Sequence, residues 1–93
     1  GPRFTIANGI SLLVNCKTQA EIDAYWSKLS DGGEEWACGW LKDKFGVPWQ
    51  ITPALLMELI QDPDPVASNR AIEVMNTMVK IDIESLRRGC GLA

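Results

Sequence analysis

The sequence predicts an α+β fold, in which a strand-helix-strand-strand module with a mixed or antiparallel sheet is followed by C-terminal helices. Residues alternate between apolar and other side chains over 10–16, 34–41 and 47–52, which is the period of a strand. After the first of these segments, a Thr-x-x-Glu pattern at Thr18 marks the start of a helix. Beyond residue 52, apolar side chains recur at the spacing of an amphipathic helix.

These elements divide the chain into a strand-helix-hairpin module over residues 10–52 and a helical tail over residues 53–88. Ninety-three residues are enough for one hydrophobic core. Residues 1–93 are therefore predicted to form a single domain, or the C-terminal half of a two-module domain. The chain starts with Gly1 and Pro2 rather than Met, which indicates a fragment or a start left by a protease.

The composition argues against several classes of partner. A chain that is 46% hydrophobic and 23% charged is typical of a globular domain. Its formal charge of −3 provides no positive field for nucleic acid or an anionic membrane, so neither is expected. No apolar run approaches the roughly 20 residues that span a bilayer. The three cysteines are odd in number and widely spaced, which predicts reduced thiols and a cytoplasmic location.

The first predicted strand has an apolar face and a mixed face. The apolar face carries Ile10, Leu12, Val14 and Cys16, and the mixed face carries Ser11, Leu13 and Asn15. A capping box of Thr18 and Glu21 then starts a helix that ends at residues 30–33, Ser-Asp-Gly-Gly, which tolerate a left-handed turn. The apolar side of this helix consists of Ile22, Tyr25, Trp26 and Leu29.

The next two strands are predicted to form a hairpin around a charged turn at residues 42–46. The outgoing strand carries Trp36, Cys38 and Trp40 on one side. In the returning strand, Trp49 and Ile51 are predicted to face the helix. The opposite side of that strand carries Pro48, Gln50 and Thr52.

Three helices complete the predicted fold, with caps at Thr52, Asp64 and Asp82. The apolar face of the middle helix continues to Val79, so this helix is predicted to be the longest.

The three predicted strands leave unpaired edges on the sheet. Such edges invite a further strand from upstream residues or from a second chain.

One long stretch, residues 10–53, carries a family resemblance. It reads ISLLVNCKTQAEIDAYWSKLSDGGEEWACGWLKDKFGVPWQITP, and its most specific parts are VNC, GGEE and CGWLKDKFGVPWQI, with DPDP and KID following in the tail. This stretch resembles the C-terminal half of a PhnB-like protein, and the likeness extends over about residues 1–86. The family, also described as 3-demethylubiquinone-9 3-methyltransferase-like, belongs to the vicinal oxygen chelate superfamily with glyoxalase I and bleomycin-resistance proteins.

The resemblance implies a cupped sheet built from two βαβββ modules, with helices outside and a ligand cavity inside. In metal-dependent members, the metal ligands come from the first and last strands of each module. Those positions fall near Gly9 and at Gln50, which offer no side chain and a neutral amide. No metal site is therefore predicted in this half, and a divalent metal is expected only with residues from outside this chain.

The sequence also departs from the family pattern in two further respects. The module is predicted to lack one strand, because DGGEEWACG passes almost directly from helix to hairpin. No cofactor is evident, since no Gly-rich loop suited to a nucleotide-like cofactor follows a strand. The methyltransferase description thus receives no support from the residues.

The ligand-binding residues predicted with this resemblance are Asn15, Trp40 and Gln50. Gln50 is interpreted either as an amide that contacts the ligand or as a satisfied polar side chain of the sheet. Trp36 and Trp40 are interpreted either as an aromatic wall for a planar substrate or as packing. Asp43 and Lys44 are interpreted as solvated turn residues.

The predicted function is a homodimeric small-molecule-binding protein of undefined activity, whose two chains complete the sheet by pairing or by swapping strands or modules. One alternative is a metal-dependent lyase, isomerase or dioxygenase-like enzyme with ligands in an absent N-terminal module. The other is a structural dimerisation module whose interface is the helical tail. No catalytic residue is assigned, and Cys38 is interpreted as inert because the sequence has no histidine to lower its pKa.

Overall fold

The computed structural model describes residues 3–7 and 11–92. The elements in these ranges are β1 (Arg3–Ala7), β2 (Ser11–Cys16), α1 (Gln19–Ser30), β3 (Glu34–Glu35), β4 (Trp40–Lys42), β5 (Pro48–Pro53), α2 (Ala54–Ile60), α3 (Pro65–Met75) and α4 (Ile83–Gly89). The strands form one sheet in the order β1-β2-β5-β4-β3. Strands β2 and β5 are parallel, and the other neighbouring pairs are antiparallel. The predicted α+β class, with helices after the sheet, is confirmed.

The segment predicted as one strand over residues 34–41 consists of two strands with a reversal between them. Cys38 and Gly39 have left-handed backbones with φ of 63° and 79°, and an extended strand cannot contain such residues. The chain therefore turns back, and Glu34 of β3 lies opposite Lys42 of β4. The prediction that the module lacks a strand is wrong. Elements β2, α1, β3, β4 and β5 make a complete βαβββ module.

Strand β1 was not predicted, and it covers the edge of β2. It pairs antiparallel with β2 along its whole length, from Arg3 opposite Asn15 to Ala7 opposite Ser11. Upstream residues thus occupy one of the two sheet edges that were predicted to be unpaired. The opposite edge is β3, whose two residues are both exposed glutamates. Charged side chains on a short edge strand discourage pairing with another chain.

Helix α1 packs on one face of the sheet and forms the first hydrophobic core. The buried members of this core are Val14, Cys16, Ile22, Trp26, Leu41 and Ile51. The predicted capping box starts the helix, because the Glu21 N–H donates to Thr18 Oγ1 and the Thr18 N–H donates to Glu21 Oε1, both at 3.2 Å. Trp49 and Ile51 of β5, which were predicted to face the helix, lie in this core.

The helical tail has a second hydrophobic core. Leu56, Ile81 and Leu86 are its buried residues. The side chains packed around them are Leu55, Leu59, Ile60, Val74, Met75, Met78 and Cys90. The predicted caps at Asp64 and Asp82 are confirmed, since their carboxylates accept from Val66 N–H at 3.0 Å and Ser85 N–H at 2.8 Å.

Two predicted helix boundaries in the tail are wrong. Thr52 does not cap α2, because β5 continues to Pro53 through its pairing with β2, and Pro53 occupies the N-cap position. Helix α3 ends at Met75 rather than Val79. It therefore has 11 residues, and α1, with 12, is the longer helix.

Residues 78–83, which we call the crossing segment, attach the tail to the module. The carbonyl groups of Met78 and Val79 accept from the N–H groups of Cys38 and Gly39 at 2.8 and 2.7 Å. Cys38 and Gly39 lie in the left-handed turn between β3 and β4, outside both strands, so their N–H groups bond to the crossing segment instead of to a neighbouring strand. In the part of the chain described here, no helix is long and apolar enough to cross a membrane.

Candidate functional site

The sheet has a second face, opposite α1, which we call the distal face. Side chains that lie directly across neighbouring strands share a face, so the strand register identifies its members. The members whose side chains the structure describes are Leu13, Asn15, Glu34, Trp40, Lys42, Pro48, Gln50 and Thr52. By register, Arg3 and Thr5 of β1 lie opposite Asn15 and Leu13. All three of the predicted ligand-binding residues belong to this set.

The centre of the distal face is a row of three side chains, which we call the central row. Gln50 of β5 lies directly between Leu13 of β2 and Trp40 of β4. Cβ atoms of directly opposed residues in neighbouring strands are about 5 Å apart. The Gln50 carboxamide therefore has an aliphatic side chain on one side and an indole on the other. All three side chains are half-buried.

Asn15 lies one row along from the central row. It is opposite Thr52, two residues after Gln50 on β5, which makes Asn15 a diagonal neighbour of Gln50 at roughly 7–8 Å. Its side chain is exposed. The structure thus brings Trp40 and Gln50 together and places Asn15 at the margin of the same face.

The polar side chains of these two rows lack hydrogen-bond partners among the described residues. The carboxamides of Asn15 and Gln50 form no hydrogen bond with the side chains of residues 12–92 or with the described backbone. The Thr52 side chain is 1% exposed, and its Oγ1 has no partner there either. Because buried polar groups in proteins are nearly always hydrogen-bonded, Thr52 is an exception that calls for an explanation.

One end of the distal face carries a pair of opposite charges. Lys42 Nζ lies 3.6 Å from Glu34 Oε1, and the indole N–H of Trp36 donates to Glu34 Oε2 at 3.1 Å. Both ions are partly exposed, so the pair contributes little to stability. It nevertheless leaves this end of the face without net charge. Trp36 lies at the edge of the sheet beside Glu34, while Trp40 lies in the central row.

The β4–β5 hairpin sets the register of the central row, and Asp43 organises this hairpin. Asp43 Oδ1 accepts from the N–H groups of Phe45 and Val47, both at 2.9 Å, and Oδ2 accepts from the indole N–H of Trp49 at 2.8 Å. The indole and these backbone donors lower the pKa of the Asp43 carboxyl. The interpretation of Asp43 as a solvated turn residue is wrong, whereas Lys44 is exposed. The sequence signal that could have predicted this role of Asp43 is its position in an Asp-x-x-Gly turn that a tryptophan follows.

A family model described as 3-demethylubiquinone-9 3-methyltransferase matches residues 1–52, which is more than half of the 93 residues. The chain belongs to this family. It is thus a PhnB-like member of the vicinal oxygen chelate superfamily. The match covers the βαβββ module and ends within β5, so the DPDP and KID stretches of the resemblance lie beyond it. No curated protein matches the chain.

The donor groups around Gln50 of this PhnB-like chain do not fit a divalent metal ion. Leu13 and Trp40, on either side, offer no oxygen or imidazole ligand, and a neutral carboxamide is a weak one. The other ligand position implied by the resemblance, Gly9, lies outside the described residues. No group of three or more His, Cys, Asp or Glu side chains within the described ranges is placed to hold a metal ion.

The thiols of this PhnB-like chain lie away from the central row. Cys16 belongs to the first core, where burial, with a smaller effect of Glu21, raises the pKa of its thiol to about 11. It is therefore protonated at neutral pH and packs as a small apolar side chain. In the β3–β4 turn, the Cys38 thiol donates to Asn76 Oδ1 at 3.3 Å.

A cleft of about 390 Å³ lies between the start of α1 and the start of α4. The sequence does not predict this cleft, because it forms between segments far apart in the chain. Gln19 in this cleft is already engaged at both ends of its carboxamide, since Nε2 donates to the Ile81 carbonyl at 3.1 Å and Oε1 accepts from the Ile83 N–H at 2.8 Å. The Gln19 carboxamide thus bonds α1 to the crossing segment. The Gln50 carboxamide, by contrast, has no hydrogen-bond partner among the described residues.

Proposed function

We propose that this chain is a homodimeric protein that binds a small organic molecule between the distal face of its sheet and a second copy of the chain. The observation that carries the proposal is the central row, in which the Gln50 carboxamide lies between Leu13 and Trp40. Ligand pockets are typically lined by apolar and aromatic side chains with a few placed polar groups. The central row has this composition.

The number of modules supports closure of the site by a second copy. The described residues contain one complete βαβββ module, and the superfamily cup is built from two. The distal face of one module forms a wall and does not enclose a ligand. In a dimer with two-fold symmetry, the same surface of each chain meets its counterpart, so two distal faces complete one cup.

The helical tail is a poorer candidate for the dimer interface. Its apolar side chains, including Met75 and Met78, pack around the buried residues of the second core. The large apolar side chains that the described tail exposes are Val66 and Val79, at 69% and 49%. Single exposed valines are ordinary on protein surfaces. They do not form the continuous apolar patch that a tail-mediated dimer needs.

Titration with Nile red, an uncharged planar dye that fluoresces in apolar surroundings, tests ligand binding. We expect saturable binding by the full-length protein. Replacement Trp40→Ala should weaken the affinity about tenfold, because it removes the aromatic wall of the central row. The matched control is Phe45→Ala, at the hairpin tip, where the ring is 81% exposed. It should change the affinity less than about twofold.

Two results contradict this proposal, one for each of its parts. Equal weakening by Trp40→Ala and Phe45→Ala, or an absence of saturable binding, contradicts a ligand site on the distal face. Light scattering coupled to size-exclusion chromatography should give twice the mass of one chain. The mass of a single chain, with dye bound, contradicts the homodimer.

A further inference from the structure

We infer that the ligand of the distal face is an uncharged planar ring compound that presents a hydrogen-bond donor beside an acceptor, as a lactam or a ring carboxamide does. This inference rests on the proposed function, since it names the chemical class that the same site takes. It follows from the shape, the hydrogen-bonding groups and the charge of the distal face.

The shape of the central row favours a flat molecule. Trp40 and Leu13 lie on either side of Gln50 and are half-buried. An indole offers its largest contact area to another flat ring, and aromatic pairs in offset-stacked or edge-to-face arrangements gain free energy beyond their buried area. A ring that stacks on the Trp40 indole brings its edge to the neighbouring Gln50 carboxamide.

The hydrogen-bonding groups of the row favour an edge with both a donor and an acceptor. A carboxamide has an N–H₂ donor and a C=O acceptor side by side, and its complement is another amide-like edge. The Gln50 carboxamide forms no hydrogen bond within the described chain, and Asn15 at the margin of the face is in the same state. These groups remain available to a ligand, unlike the carboxamide of Gln19, which is engaged at both ends.

Thr52 provides an independent observation on the same face. Its side chain is 1% exposed, and its hydroxyl has no partner within the described residues. Leaving a buried hydroxyl unpaired is unfavourable, and proteins rarely tolerate it without a reason. Thr52 is two residues from Gln50 and opposite Asn15. Thr52, Gln50 and Asn15 are thus three neighbouring polar groups of one face that have no hydrogen-bond partner among the described residues.

The charge of the distal face favours a neutral ligand. Among its described side chains, the charged ones are Lys42 and Glu34, which lie 3.6 Å apart and neutralise each other. The side chains of the central row are all uncharged. An anionic ligand over this row would lose its hydration, and the described side chains of the distal face offer it no unpaired cation in return. A buried unpaired charge is strongly unfavourable.

Three probes with the same bicyclic ring test the inference by calorimetric titration of the full-length protein. They are 2-quinolinone, a neutral lactam; 2-methylquinoline, which lacks the donor–acceptor edge; and quinoline-2-carboxylate, an anion. We expect 2-quinolinone to bind about tenfold more tightly than either of the others, since one or two additional neutral hydrogen bonds account for a factor of this size.

Variants of Gln50 assign this preference to its carboxamide. Gln50→Leu should weaken 2-quinolinone about tenfold and change 2-methylquinoline less than about twofold. Gln50→Glu, which keeps the size of the side chain but removes the donor, should also weaken 2-quinolinone, and it provides the test if Gln50→Leu fails to fold. The matched control Gln61→Leu, at the exposed end of α2, should leave the binding of all three probes unchanged.

The outcomes separate the inference from the proposed function. Equal binding of 2-quinolinone and 2-methylquinoline that depends on Trp40 overturns the inference and leaves the ligand site in place. Tighter binding of quinoline-2-carboxylate than of 2-quinolinone also overturns the inference and leaves the ligand site in place. If none of the three probes binds and Nile red does not bind either, the proposed function fails and the inference fails with it.

Discussion

At the scale of single residues, Asp43 shows how one side chain fixes the geometry on which the candidate site depends. Its two carboxylate oxygens accept three N–H groups, two from the turn backbone and one from the indole of Trp49. The turn is thereby held in one conformation, and the indole is held on the helix side of β5. This conformation fixes the register in which Trp40 lies opposite Gln50.

We predict that Asp43→Asn lowers the free energy of unfolding at pH 7 by about 1 kcal/mol, a magnitude typical of lost side-chain caps. The amide nitrogen would face the indole N–H of Trp49, donor against donor. Because the pKa of Asp43 is lowered in the folded protein, chiefly by that indole, its ionised form stabilises the fold above the ordinary aspartate pKa. That contribution disappears as the pH falls through the lowered pKa.

Urea unfolding of both proteins at pH 7 and pH 3 measures this effect. The difference in stability between wild type and Asp43→Asn should be smaller at pH 3 than at pH 7. Asp31→Asn, at the exposed end of α1, serves as the control and should show little difference at either pH. A stability difference for Asp43→Asn that is the same at both pH values would show that the carboxylate charge is irrelevant to the hairpin.

Thr52 leads to a second prediction at this scale. Because its buried hydroxyl has no partner among the described residues, replacement by a valine of similar shape removes an unsatisfied polar group. We expect Thr52→Val to raise the free energy of unfolding by about 1 kcal/mol in the absence of ligand. Thr77→Val removes a hydroxyl that donates to the Val74 carbonyl at 2.6 Å and should not stabilise. A loss of stability in Thr52→Val would mean that its hydroxyl has a partner.

At the scale of elements, the β3–β4 turn determines how the module and the tail fit together. Gly39 combines a φ of 79° with close contacts, since an added Cβ would lie 2.8 Å from the Ile51 carbonyl oxygen and 2.9 Å from Ile81 Cγ1. Its N–H and C=O groups bond to the Val79 carbonyl and the Ile51 N–H. One glycine is therefore in contact with both β5 and the crossing segment.

We predict that Gly39→Ala lowers the free energy of unfolding by about 3 kcal/mol or more, because a left-handed alanine and two steric overlaps add together. Gly46→Ala is the matched control. Gly46 has a similar φ of 86°, but an added Cβ would meet nothing within 4 Å, so only the conformational cost of about 1 kcal/mol remains. Equal losses of thermal stability in the two variants would contradict the close packing at Gly39.

Local chemistry allowed some elements to be predicted from the sequence, and pairing between distant segments prevented the prediction of others. The starts of α1, α3 and α4 follow from the caps Thr18, Asp64 and Asp82, which act on their own helices. The end of β5 cannot be predicted from a local signal, because pairing with β2 extends this strand through Pro53. The reversal at Cys38 was hidden for a different reason, since residues 34–41 alternate as a continuous strand does.

At the scale of the whole molecule, the sheet separates a face that is used for packing from a face that is available for binding. The resemblance to a cupped sheet, applied to the alternation along each strand, implied that Asn15, Trp40 and Gln50 line the cup. It could not show that Trp40 lies directly opposite Gln50, because that depends on the β4–β5 register. Nor could it show that the carboxamides of Asn15 and Gln50 have no hydrogen-bond partner among the described residues, since this is a property of the assembled sheet.

The most direct test of the central claim is a two-dimensional ¹H–¹⁵N spectrum of the full-length protein, titrated with 2-quinolinone. The indole N–H signals report on both faces, because Trp26 and Trp49 donate to Glu35 and Asp43 on the helix side while Trp40 lies in the central row. A ligand on the distal face should shift the Trp40 indole and the Gln50 side-chain amide and leave the signals of the Trp26 and Trp49 indoles in place. Shifts at Trp26 and Trp49, with Trp40 and Gln50 unmoved, would contradict the claim.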